Sequence, residues 1–117
     1  MARIRQDFEL WQGETKAVYI QVFDDENNFY NITDASVRWK MQMQIYNGQQ
    51  VVLEKSTSDG ITIPDPLRGL IRIDLQPEDT ENMPAGFYYH EAELMESSGA
   101  ISVITIGRVQ LHPSINK

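Results

Sequence analysis

The chain has no cysteine among its 117 residues, which removes disulfides, thiolate metal sites and cysteine nucleophiles together. Histidine is nearly as scarce: His90 and His112 are the only two, and neither stands near a second ligand at metal-site spacing. No Gly-x-Ser-x-Gly elbow and no phosphate-cradling glycine loop is present, so hydrolase and nucleotide-binding readings lose their usual support. No apolar run approaches the roughly 20 residues of a membrane-spanning helix. Met1 to Asp7 carries two arginines with no apolar stretch behind them, which is not the anatomy of a secretory signal. Positive charge is also in short supply. Ten Lys and Arg against 17 Asp and Glu give a net charge of −7, which opposes the phosphate neutralisation that drives nucleic-acid binding. Neither a nucleic acid nor a membrane is an expected partner, and no cofactor, metal ligand or catalytic residue is expected.

What remains is an ordinary globular composition, 41% hydrophobic with a mean hydropathy of −0.41, and a length that suits one domain over residues 1–117 with a core of its own. The dominant signal is alternation with period two, the mark of strands with one buried face. Val37, Trp39, Met41, Met43 and Ile45 face one way while Arg38, Lys40, Gln42 and Gln44 face the other, predicting a long central strand. Asn47-Gly48 suits the positive φ angles of a hairpin turn, with residues 50–55 returning beside it. Phe8 and Leu10, then Val18, Ile20 and Val22, mark two early strands. Gly60 to Ile63 is a short strand that Pro64 and Pro66 should stop, because proline has no N–H for the ladder.

The most informative stretch is Gly69 to Leu94. Ile71, Ile73 and Leu75 form one stripe and Tyr88, His90, Ala92 and Leu94 another, joined by a proline-punctuated acidic crossover with room for a single helical turn near Pro77. A last strand follows from Ile101 to Leu111. Seven to nine strands at spacings near ten residues, with no amphipathic helix of useful length, predict an all-β fold, a β-sandwich. Gly69 should permit a tight turn into its strand, Gly107 a bulge or a close backbone approach, and Tyr88 should cap a sandwich edge with its hydroxyl.

Candidate contact residues are of two kinds. Trp11, Phe29, Tyr30, Tyr46, Phe87 and Tyr89 either fill the core or include a sugar-stacking platform or protein-binding anchors, whereas Trp39 belongs to the core stripe. Acidic groups crowd residues 74–96, where Asp74, Glu78, Asp79, Glu81, Glu91, Glu93 and Glu96 occur without one Lys or Arg; such a surface docks on a basic partner or serves solubility. Glu91 and Glu93 should project from one strand face roughly 7 Å apart, a spacing that also raises two-carboxylate glycan hydrolysis as a distant option. The loop Asp24-Asp25-Glu26-Asn27-Asn28 offers oxygen ligands but lacks the glycine and distal Glu of an EF-hand loop. His90 reads as a satisfied core or interface histidine, and His112, beside Pro113, as a surface residue.

The succession WQGET, NITDASVRWKMQ, GITI, GLIRIDLQPEDTENMPAGFYYHEAEL, a Ser-Ser-Gly turn and ITIGRVQLHPSI resembles a family of small phage virion proteins with an immunoglobulin-like sandwich. It is also similar to the N-terminal domains of phage baseplate upper proteins. Where such relatives often show Leu-Thr-Gly this chain has Ile32-Thr33-Asp34, and the Tyr-Asp-Leu-like strand appears as Tyr89-His90-Glu91. The resemblance implies an immunoglobulin-like antiparallel β-sandwich and a non-enzymatic structural protein of tail, baseplate or capsid. Such a protein is made in the host cytoplasm, located in the virion and present in symmetric multiple copies or as a homo-oligomer bound to other virion proteins. Contacts are expected through Trp11, Phe29, Tyr30, Glu78, Asp79, Glu81, Tyr89, Glu91 and Glu93. The alternative is a carbohydrate-binding module that recognises host surface glycans through an exposed aromatic and acidic groove.

Overall fold

The computed structural model describes residues 2–43 and 51–116. Nine strands carry the fold: β1 (Ile4–Arg5), β2 (Phe8–Trp11), β3 (Lys16–Gln21), β4 (Ser36–Gln42), β5 (Val51–Thr57), β6 (Gly60–Asp65), β7 (Leu70–Leu75), β8 (Gly86–Met95) and β9 (Ile101–His112). One short helix, α1 (Pro77–Thr80), lies in the crossover between β7 and β8. The strands form two leaves. One is β9-β8-β4-β5 with β1 and β2 both along β9, and the other is β6-β7-β3; β5 and β6 join them through two residue pairs. The fold is all-β, an immunoglobulin-like sandwich. It is antiparallel except where β1 and β2 run parallel to β9 and where β5 meets β6.

The alternating stripes read from the sequence close on one core. Val18, Ile20, Ile71, Ile73 and Leu75 from one leaf meet Val37, Trp39, Met41, Tyr88, Ala92 and Leu94 from the other, all below 5% exposed. β4 lies centrally in its leaf, between β8 and β5. Two immunoglobulin hallmarks are present: a buried tryptophan on a central strand, Trp39, and a tyrosine corner, in which the Tyr88 hydroxyl donates to the Pro84 carbonyl at 2.5 Å. Burial pushes the Tyr88 phenol above its ordinary value of 10.0. Ile32, in the connection between β3 and β4, is also buried at 1% exposed and packs in this core.

Several details differ from the sequence reading. Met43 is 54% exposed, because β4 ends at Gln42 and the stripe ends with it; Ile45, Tyr46 and the Asn47-Gly48 turn lie outside the described residues. β6 runs through Pro64 to Asp65 instead of stopping at Ile63. Its pairing with β7 slips between Thr62 and Asp65, and at such an irregularity a missing N–H is tolerated. The bulge in β9 is not at Gly107: the register shift falls between Ala92 and Glu93, leaving Ile104 as the extra residue, and both Ile104 and Thr105 are buried. The Thr105 hydroxyl is the one buried side-chain polar atom among the described residues without a partner, a desolvation cost of about 1–3 kcal/mol that the rest of the core offsets.

Gly107 provides the close approach instead. An added Cβ would lie 2.0 Å from the Gln6 carbonyl oxygen and 2.7 Å from His90 Nε2. Gly69 makes the expected tight turn, with φ of 67° after the 3-10 turn Pro66–Arg68. There a Cβ would meet the carbonyl oxygens of Tyr30 and Val22 at 2.7 Å.

Candidate interaction face

The outer surface of the six-stranded leaf carries the largest group of exposed anchors. Cross-strand register orders it in rows. Arg5 lies beside Ile106, Glu91, Lys40 and Glu54; the next row toward the β4 N-terminus holds Val103, Glu93, Arg38 and Ser56. In the other direction come Arg108, Tyr89 and Gln42, then Glu9, Gln110 and Phe87, and at the end Trp11 beside His112. Of eleven large apolar side chains exposed among the described residues, five project here: Trp11, Phe87, Met95, Ile101 and Ile106. The outer face of the other leaf has one, Tyr19, so apolar exposure is concentrated on this side.

The aromatic positions are held by polar neighbours. Trp11 stacks on His112 with ring centroids 4.3 Å apart, and His112 Nε2 lies 2.8 Å from the Glu9 carboxylate. His112 is therefore tied into the face rather than being a plain surface residue. The Arg108 guanidinium sits 4.8 Å over the Phe87 ring, a cation–π contact of about 0.5–1 kcal/mol at an exposed site. The Arg108 backbone N–H donates to Asp7 at 2.8 Å and holds that carboxyl below its ordinary value of 3.8. A shallow hollow of about 320 Å³ opens at the far end of the face, lined by Arg38, Glu54, Ser56 and Glu93 among others.

The residues expected to make contacts fall in three places. Trp11, Tyr89, Glu91 and Glu93 share this face. Phe29 and Tyr30 lie on the loop after β3, where Phe29 stacks on Phe23 at 5.8 Å with Arg68 5.7 Å above it. The Tyr30 hydroxyl donates to Glu96 at 2.5 Å; that bond first, then burial, raises the phenol above 10.0. The acidic crossover divides: Glu78 and Glu81 are exposed, whereas Asp79 works inside the chain. Its carboxylate accepts from the Gln76 N–H at 2.7 Å and pairs with Lys55 at 2.9 Å. Lys55 reaches it by passing over Gly60, where a Cβ would touch its Cδ at 2.5 Å. Beside it, buried Thr80 accepts from the Gly13 N–H at 2.9 Å, which pins α1 to the turn after β2. The anchors Ile106 and Arg108 were not singled out from the sequence; the only signal for them is alternation in β9, which the Ile104 bulge interrupts. The Asp24 loop is an Asx turn, with Asp24 Oδ1 accepting from the N–H groups of Glu26 and Asn28. Among the described residues no three His, Asp or Glu side chains form a group that could hold a metal ion.

Under this face lies His90, 3% exposed. Its Nδ1 accepts from Trp39 Nε1–H at 3.0 Å and its Nε2–H donates to the Gln6 carbonyl at 2.6 Å, which fixes a neutral tautomer. Burial lowers its pKa below 6.5, opposed by the Gln6 carbonyl and the charge of Asp7. The unfolded chain thus takes up a proton near pH 6.5 that the folded chain resists, so this contribution to stability is complete above pH 6.5 and lost as pH falls from there toward the depressed folded value. Urea unfolding at about pH 7.5 and about pH 5.5 should show lower stability in acid. His90→Gln should flatten that slope; an unchanged slope would place the titration elsewhere.

No protein-family model and no curated protein matches the sequence. Among solved structures, CopC from Methylosinus trichosporium OB3b superposes on this chain with a TM-score of 0.51 at 13% identity, covering 100% of this chain and 90% of CopC. Murine CRIg aligns at 13% identity over 97% of this chain and 93% of its own, with a TM-score of 0.33. At such identity the likeness to CopC is one of fold.

Proposed function

We propose that this chain is a non-enzymatic structural protein of a phage virion, an adaptor or accessory protein of tail, baseplate or capsid, that works by protein–protein association. The observation that carries association is the concentration of exposed apolar and aromatic side chains on one leaf, rimmed by charge, the composition of a protein contact surface. The virion setting is supported by the run of turn and strand motifs from WQGET to the last strand. In this reading the sandwich is a rigid support, and Trp11, Phe87 and Tyr89 supply contact area at small cost in side-chain freedom.

Mass spectrometry of purified particles should find the chain at a fixed stoichiometry, and cryo-microscopy should place it at symmetry-related positions. Consistent absence from particles, with the protein free in lysates, would overturn the virion reading.

A further inference from the structure

We propose that the outer face of the six-stranded leaf is self-complementary and joins two copies of this chain about a two-fold axis running along the strands between β4 and β8. The inference rests on the reading of the chain as a protein that works by association, and it names the partner of that face as a second copy. Its basis is register. Glu91 stands directly across from Lys40, and Glu93 directly across from Arg38, on adjacent strands. Among the described residues none of the four makes an ion pair within 4.0 Å. A two-fold between those strands exchanges their positions, so Glu91 comes to face the partner's Lys40 and Glu93 the partner's Arg38, with the reciprocal contacts made at the same time. An isologous interface requires this kind of self-matching.

Charge complementarity favours a second copy over a partner of one sign. The rows carry four basic side chains, Arg5, Arg38, Lys40 and Arg108, and four acidic ones, Glu9, Glu54, Glu91 and Glu93, a balanced face in a chain of net charge −7. A uniformly acidic or basic partner would set like charges against half of them, which disfavours such partners. Two copies meeting elsewhere would bring together surfaces of excess negative charge. The size is also sufficient: the six strands of the leaf, two to twelve residues long and about 4.8 Å apart, give roughly 650–700 Å² per partner, within the range of a standard interface. Ile106 and Met95 flank the charged rows and add apolar contact.

The test uses two charge variants of the full chain, all substitutions being on the outer face of the leaf. One copy carries Arg38→Glu and Lys40→Glu, the other Glu91→Lys and Glu93→Lys; circular dichroism establishes that each is folded. In sedimentation equilibrium the unmodified chain should be a reversible dimer that weakens as salt rises. Each variant alone should lose at least about tenfold in dimer affinity, since every pair then sets like charges together. An equimolar mixture should recover a one-to-one heterodimer, because each acid of one copy meets a base of the other. An unmodified chain that stays monomeric up to about 1 mM, variants that dimerise as well as the parent, or a mixture that stays monomeric would each overturn the proposal. These outcomes are separate from the particle experiment: a dimer absent from particles sinks the virion reading alone, and a particle protein that is monomeric when free sinks this one alone.

Discussion

Gly107→Ala should detach the N-terminal segment from the sandwich. The added methyl would lie 2.0 Å from the Gln6 carbonyl oxygen, a main-chain atom that no side-chain rotation can clear. The φ of Gly107 is not in the left-handed region, so the glycine is required by the approach of another segment and not by its own conformation. Moving Gln6 away breaks two contacts at once: the Gln6 N–H to the Ile106 carbonyl at 2.8 Å, and the Gln6 carbonyl to His90 at 2.6 Å. Overpacking of this kind costs about 1–3 kcal/mol, and a buried His90 N–H left without an acceptor adds about 1–3 kcal/mol. Amide exchange should rise in residues 2–11 while β4 and β8 keep their protection. Uniform protection with unchanged stability would show that the segment adjusts freely.

The second large effect belongs to Trp39. It is fully buried and holds His90 through its indole N–H. Trp39→Ala removes the largest side chain of the core, at about 3–5 kcal/mol, and leaves His90 Nδ1 without its donor. Against the roughly 5–15 kcal/mol of a typical domain, that brings the chain close to unfolding at room temperature. Trp39→Phe keeps most of the volume and loses only the donor, so it should fall well short of the alanine variant. Chemical denaturation checks both. A loss for Trp39→Ala within about 0.5 kcal/mol, the range of ordinary surface changes, would remove Trp39 from the core.

Both substitutions act on one small assembly in which Trp39, His90, Gln6 and Gly107 touch in series. It ties β4, β8, β9 and the N-terminal segment together beneath the proposed contact face. The side chains above it are thereby held on a fixed surface, which lowers the entropy lost on association. Phe8 closes the assembly from the side, edge-on to the His90 ring at 5.1 Å.

The stripes in β4, β7 and β8 could be read from the sequence because a strand's pleat sends successive side chains to opposite faces, so inside and outside are settled by neighbours two residues apart. Trp39, Tyr88 and His90 were legible as core for that reason. The Gly69 turn and the close approach at Gly107 were legible because each narrows what only glycine tolerates. The same local rule misled at Met43, where the alternation outlasts the strand; His112 was read as a surface residue from its place beside Pro113, because its partners Trp11 and Glu9 lie about a hundred positions earlier in the chain.

By itself the sequence determined the inward-pointing stripes of β3, β4, β7 and β8 and hence that the chain is an all-β sandwich. Only the tertiary structure decided which outward side chains stand together. Pairing of β1 and β2 with β9 brings Trp11 to His112 and Asp7 to Arg108. The extra residue at Ile104 puts odd-numbered Ile101 and Val103 on the same face as even-numbered Ile106 and Arg108, which strict alternation forbids. Pairing of β4 with β8 sets Lys40 against Glu91 and Arg38 against Glu93 across about fifty residues of chain. The physical reason is that facing inward or outward is a property of one strand's backbone, whereas adjacency on a sheet depends on where distant strands meet and in which register.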